Sequence, residues 1–126
     1  MHRSRGHALV IDARESTAAE AADFRAAALG ATARPFPPAP QFTTHHRALP
    51  GLVAAVQAVD DTPRTHLDVE TDDVVAETAR LTALGAEEVS RWQERRVLRA
   101  PGGHLLRVLP VESDAGAFRA QGRVWP

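Results

Sequence analysis

The sequence predicts an α+β fold in which one βαβββ unit is written twice, and three observations carry that reading. One segment runs His7-Ala-Leu-Val-Ile-Asp-Ala, breaks at Glu15-Ser16-Thr17, and continues Ala-rich to Ala28-Leu29-Gly30-Ala31. A second runs Thr65-His-Leu-Asp-Val-Glu, breaks at Thr71-Asp72-Asp73, and ends Ala83-Leu84-Gly85-Ala86. In both, an apolar alternation gives way to a capped, 3.6-periodic stretch that a glycine stops. After each glycine come short β-rich runs joined by Pro-Gly turn signals, Pro50-Gly51 in the first copy and Pro101-Gly102-Gly103 in the second.

The elements follow in order. The first strand is expected from about His7 to Ala13. The first helix is expected over Thr17–Leu29, with Thr17 and Glu20 forming a capping box and Gly30 ending it in the left-handed conformation. Ala21, Phe24 and Ala28 share one face of that helix and are expected to be buried. Pro35-Phe36-Pro37-Pro38-Ala39-Pro40 reads as a stiff, exposed polyproline-like loop in place of a clean strand pair. Strands are expected over Gln41–Ala48 and Leu52–Val59, and a linker over Val59–Arg64. The second copy repeats the order, with a strand at Thr65–Glu70 and a helix at Asp72–Leu84 burying Val74, Thr78 and Leu81. Its remaining strands are expected at Ala86–Ser90, Arg95–Ala100 and His104–Leu109. Module one thus covers about 7–59, module two about 64–111, and 112–126 reads as an irregular tail that Phe118 and Trp125 either dock or leave frayed.

Composition narrows the chemistry. With 126 residues, 44% of them hydrophobic and 25% charged, the chain suits a single globular domain. Cys is absent, so disulfides, thiol nucleophiles and thiolate metal sites are excluded. All 15 basic residues are arginine, which excludes a lysine Schiff base. A net charge of -1 gives no reason to expect nucleic acid or an acidic membrane surface as partner. No apolar run approaches the roughly 18 residues of a spanning helix, and no signal-peptide core follows Met1–Arg5. A cytoplasmic protein is expected.

The second half, from Arg64-Thr-His-Leu-Asp-Val-Glu-Thr-Asp-Asp through Leu-Thr-Ala-Leu-Gly-Ala to Arg-Ala-Pro-Gly-Gly-His-Leu-Leu-Arg-Val, resembles the glyoxalase/bleomycin-resistance family, the vicinal oxygen chelate proteins. The resemblance extends loosely over the first half, where Phe24 and Leu29-Gly30 fit. It implies that the two βαβββ modules form a curved, partly open barrel-like sheet with helices outside and a ligand cleft between the modules. Many members hold a divalent metal there with His and Glu side chains from four strands, and dimers are common.

Carried over residue by residue, the resemblance puts His66 at the second module's His position, with Asp73 at the helix start seven residues on. His7 is the candidate for the first module, although its spacing requires an insertion near Glu15-Ser16. Gln57 matches the first module's terminal acid. The second module's acid should follow the turn Pro101-Gly-Gly-His-Leu-Leu, and the residue there is Arg107. A guanidinium has no lone pair to donate and repels a cation, and it changes the local charge by two units relative to a carboxylate. At an effective dielectric near 20, like charges at 4 Å cost about 4 kcal/mol. No metal and no other cofactor is therefore expected.

The remaining candidates are read from the residues themselves. His66, Asp68 and Glu70 alternate onto one strand face, where they act as structural hydrogen-bonding groups, contact a ligand, or hold a metal. Arg107 on a packed strand needs a counterion, either Asp68 or Glu70 internally or an anionic ligand. Trp92, among Arg91, Arg95 and Arg96, forms an aromatic and cationic lip or anchors a solvated loop. His45 and His46 point to opposite faces and read as surface residues, and His104 as facing the helix or solvent.

Three function classes follow. The expected one is a metal-free protein binding a small organic, possibly anionic ligand through His66, Gln57, Arg107, Asp68, Glu70, Trp92 and His7. The alternatives are a metal-free isomerase or lyase with His66 in proton transfer, and a metal-dependent lyase or dioxygenase of the family type. A homodimer is expected, because half-open sheets from small modules leave apolar and edge surface exposed.

Overall fold

The computed structural model describes residues 1–126. Both βαβββ modules are present, and the fold class is α+β. The strands are β1 (His2–Arg14), β2 (Thr32–Pro35), β3 (Phe42–Leu49), β4 (Leu52–Val59), β5 (Arg64–Thr71), β6 (Glu87–Trp92), β7 (Arg95–Arg99), β8 (Leu105–Pro110) and β9 (Arg123–Trp125). The helices are α1 (Ala18–Leu29), α2 (Val74–Ala83) and α3 (Ala115–Gln121). No helix is long and apolar enough to cross a membrane. The chain divides into two compact units, Ala8–His66 and Met1–His7 with Leu67–Pro126. The second unit takes in the first seven residues and the whole C-terminal segment.

In the Ala8–His66 unit the strands run β2-β3-β4-β1, with β4 parallel to β1 and β3 antiparallel to both its neighbours. Helix α1 lies against β3 and β4. Its core is small: Ala13, Ala22 and Val56, with Ile11, Ala18 and Ala21 packed on it. Three expectations change here. Phe24 is 67% exposed, because the buried face runs through Ala18, Ala21 and Ala22 and an Ala-rich helix presents almost no apolar asymmetry to steer it. The Thr17 side chain makes no cap. Its hydroxyl turns back to the Arg14 carbonyl at 3.4 Å, within the turn that leads into the helix. Thr32–Pro35 does pair with β3, and proline is tolerated there because it ends an edge strand. Gly30 ends α1 at φ 63, its N–H reaching the carbonyls of Ala26 and Ala27, as the glycine stop requires. His45 is buried, which overturns its reading as a surface residue; its Nε2–H donates to the Ala22 carbonyl of α1 at 2.8 Å.

In the other unit the strands run β5-β8-β7-β6, with β5 parallel to β8, and β9 pairs antiparallel with His2–Ser4 of β1. Leu98, Val108 and Leu109 are completely buried and Phe118 nearly so. Asp73 caps α2, accepting from the Ala76 N–H at 2.9 Å, so the helix begins two residues later than expected. The buried side chains of α2 are Glu77 and Thr78, with Val74 and Leu81 only partly covered. The Glu77 carboxylate accepts from Arg80 Nη2 at 2.7 Å, His2 Nε2 at 2.6 Å and Ser4 Oγ at 2.9 Å. The tail is ordered, contrary to the irregular segment expected. Asp114 caps α3 through the Ala117 N–H, Phe118 fills the core, and Trp125 Nε1 donates to Ser4 Oγ at 2.9 Å.

Candidate functional site

Strand register places the chemistry. Opposite residues on neighbouring strands project to the same side of a sheet. In the first unit Asp12 stands opposite Gln57, and in the second Asp68 stands opposite Arg107, each across a parallel pair of strands. The two pairs are therefore equivalent positions of the repeat. His66 precedes Asp68 by two residues, so its equivalent in the first copy is Val10, not His7. This corrects the placement of His7, which the sequence admitted only with an insertion.

Within the second unit, Arg107 forms a bidentate pair with Asp68. Nε donates to Oδ1 at 3.1 Å and Nη2 to Oδ2 at 2.6 Å. The Asp68 side chain is 4% exposed and that of Arg107 21%. Two residues along β5, Glu70 is completely buried and accepts four hydrogen bonds. Arg5 Nε (2.8 Å) and Ser113 Oγ (2.5 Å) reach Oε1, while the backbone N–H groups of Glu112 (3.0 Å) and Ser113 (3.1 Å) reach Oε2. Burial opposes the charge, but these donors outweigh it and hold the Glu70 carboxyl at about 2. His7 lies between two carboxylates, with Nδ1 3.6 Å from Glu70 and Nε2 3.6 Å from Glu112. The Glu112 carboxylate raises the imidazole's pKa, burial opposes it, and Glu70 and Asp68 add to the rise. Glu112 also accepts from Arg95 Nη2 at 3.0 Å, and its own pKa is lowered, chiefly by His7 and with Arg95 contributing.

Beside these groups is a depression of about 400 Å³ lined by Gln93, Glu94, Arg95, Pro110, Val111 and Glu112. Trp92 ends β6 nearby, 65% exposed, its ring centre 5.7 Å from the Arg95 guanidinium carbon. The three-arginine lip does not form, because Arg91 and Arg96 both turn to Glu88, at 2.8 and 3.3 Å. His104 is exposed.

Within the first unit, His66 Nδ1 lies 3.3 Å from Asp12 Oδ2, with both side chains about nine-tenths buried. Gln57 stands beside Asp12 on β4. Asp12 was missed in the sequence. Its signal was a lone acid near the end of an otherwise apolar strand, where a buried carboxylate demands a partner. Arg5 and Glu112 were also missed, because both lie outside the span that the resemblance covers, and Arg95 was read only as part of the lip around Trp92.

The glyoxalase-like domain family matches residues 8–109, and the chain belongs to that family. Among solved structures it is similar to one described as NAD-dependent benzaldehyde dehydrogenase from Legionella pneumophila. The two share 14% identity with a TM-score of 0.56, over 82% of this chain and 99% of that one. It is also similar to methylmalonyl-CoA epimerase from Mycobacterium tuberculosis, at 16% identity and a TM-score of 0.48, over 89% of this chain and 91% of that one. At such identity the first likeness carries the fold alone. No curated protein matches.

The metal that the family often holds does not fit these residues. Its four strand positions carry Val10, Gln57, His66 and Arg107, which supply one imidazole and one neutral amide. The fourth position is a cation already bound to Asp68. One imidazole and one neutral amide are too few donors to hold a divalent ion.

Proposed function

We propose that this is a metal-free glyoxalase-like protein that binds a small organic anion, with His66, Gln57, Arg107, Asp68, Glu70, Trp92 and His7 as the residues that contact or shape its site. The observation that carries the reading is the Asp68–Arg107 pair, a guanidinium fixed where a liganding acid would stand. Its pairing uses the Nε–Nη2 edge, and Nη1 lies on the edge away from Asp68, suited to an anionic group. Titration calorimetry with Zn, Ni and Mn tests it. The expected result is no tight binding and no divalent ion retained after desalting, and tight binding of any of the three would overturn the reading.

The Asp12–His66 contact favours a second reading. A carboxylate at Nδ1 fixes an imidazole's tautomer and orientation, as proton transfer in a metal-free isomerase or lyase requires. Measured turnover of a carbonyl substrate that disappears in His66→Gln would select it. We also propose a homodimer, supported by exposed apolar side chains such as Phe24, Leu84 and Val75. A monomeric mass in light scattering would refute that.

A further inference from the structure

The wall of the depression beside β7 and β8 carries a contact with the form of a bound ligand. The Glu112 carboxylate accepts from Arg95 Nη2 at 3.0 Å through Oε1, and Oε2 faces His7 Nε2 at 3.6 Å. The arginine is only half used. Its Nε is buried yet has no hydrogen-bond partner, although Nε and Nη2 are the two donors of one edge that a carboxylate spans. A side chain tethered at Glu112 reaches one donor of that edge and leaves the other open.

The surroundings show what is fixed and what is free to move. The Glu112 backbone N–H is bonded to the buried Glu70 carboxylate, so the main chain is anchored. The Glu112 side chain is 42% exposed and leaves by rotation alone. Its departure exposes Arg95 and His7 to the depression, with Glu70 behind His7 compensated by Arg5 and Ser113. Glu94 is the other acid on the wall.

We propose that Arg95 and His7 form a carboxylate seat, occupied here by the side chain of Glu112, which an incoming small carboxylate displaces to engage both Nε and Nη2 of Arg95. This rests on the anion-binding reading above and adds Arg95 to the residues that take the anion, with His7 beside it. The exposed ring of Trp92, beside Arg95, suits an aryl group attached to that carboxylate.

The test uses benzoate as the probe, with calorimetry on the full-length natural protein, Glu112→Ala, and the double variant Glu112→Ala/Arg95→Gln. Glu112→Ala keeps the backbone N–H that Glu70 holds, and its thermal melt serves as the folding control. Removing the competing carboxylate should tighten benzoate binding by about tenfold, the scale of one charge-assisted contact. The double variant should lose that gain. In Glu112→Ala, the ¹⁵N signal of Arg95 Nε should shift on addition of benzoate. Unchanged affinity in Glu112→Ala, or a gain that persists without Arg95, would overturn the seat. The metal-free reading is untouched by either result, since divalent titration decides it separately.

Discussion

Replacing Glu70 with Gln tests whether the carboxylate network is as tightly coupled as its geometry implies. All four of its contacts come from donors, two on each oxygen. Gln keeps one acceptor oxygen and presents an amide NH₂ to the other pair of donors; the Ser113 hydroxyl can turn to accept from it, but at least one contact, to the Arg5 Nε–H or to the two backbone N–H groups, becomes donor against donor. The pKa gives the charge contribution. Its value falls from an ordinary 4.5 to about 2 on folding, which corresponds to about 3 kcal/mol of stability for the ionised form. Because the folded value is depressed, that stability is fully present above about pH 4.5 and is lost as pH falls toward about 2. Urea denaturation of the natural protein and Glu70→Gln, repeated from neutral to acid pH, reads both quantities. The expected gap near pH 7 is about 3 kcal/mol, narrowing steadily below about pH 4.5. Glu77 and Glu112, whose pKa values are also lowered, contribute to acid sensitivity in both proteins and cancel to first order in the difference. A gap below about 1 kcal/mol, or one that stays constant into acid, would refute the coupling.

Arg107→Gln removes the two guanidinium hydrogen bonds from the buried Asp68 carboxylate and should cost about 3 kcal/mol in chemical denaturation; a loss indistinguishable from zero would mean the pair is not formed. At Gly122 an added Cβ would lie 2.7 Å from the Phe118 carbonyl oxygen and 2.6 Å from Arg3 Cγ. Gly122→Ala should therefore loosen β9 and accelerate amide exchange at Arg123–Trp125, and unchanged exchange would show that the C-terminal strand is not held as described.

The sequence reading reached furthest where a turn or a stop fixed the phase. Gly30 ended α1 as expected, and β4 spans the predicted Leu52–Val59, since Pro50-Gly51 sets its start. The turn at Pro101-Gly102-Gly103 likewise fixed the phase of β8, which is why Asp68 or Glu70 was legible as the counterion of Arg107. Short elements were not legible. With seven residues in α3 and three in β9, neither offers a periodic window, and both are stabilised by contacts far away in sequence, Trp125 on Ser4 and Phe118 in the core. Helix faces were legible only in part: Thr78 is buried and Ala21 packs on the core as expected, while Phe24 is not buried. In α1 small alanines carry the packing, and in α2 the fully buried side chain is Glu77, whose partners His2 and Ser4 lie more than seventy residues away.

The repeat itself explains why the candidate site divided between what was found and what was missed. Two equivalent acids, Asp12 and Asp68, face unlike partners across equivalent parallel strands: a neutral amide at Gln57 and a guanidinium at Arg107. In the second copy the buried charge is neutralised by its cross-strand neighbour, and the pair is legible once the register is known. In the first copy Gln57 carries no charge, so the imidazole of His66 supplies the opposing group to Asp12 instead. That imidazole comes from the other copy of the repeat in sequence, which no reading of one βαβββ unit alone could supply. Equivalent positions of the repeat thus hold a bidentate Asp–Arg ion pair in the second copy and a single Asp–His contact in the first.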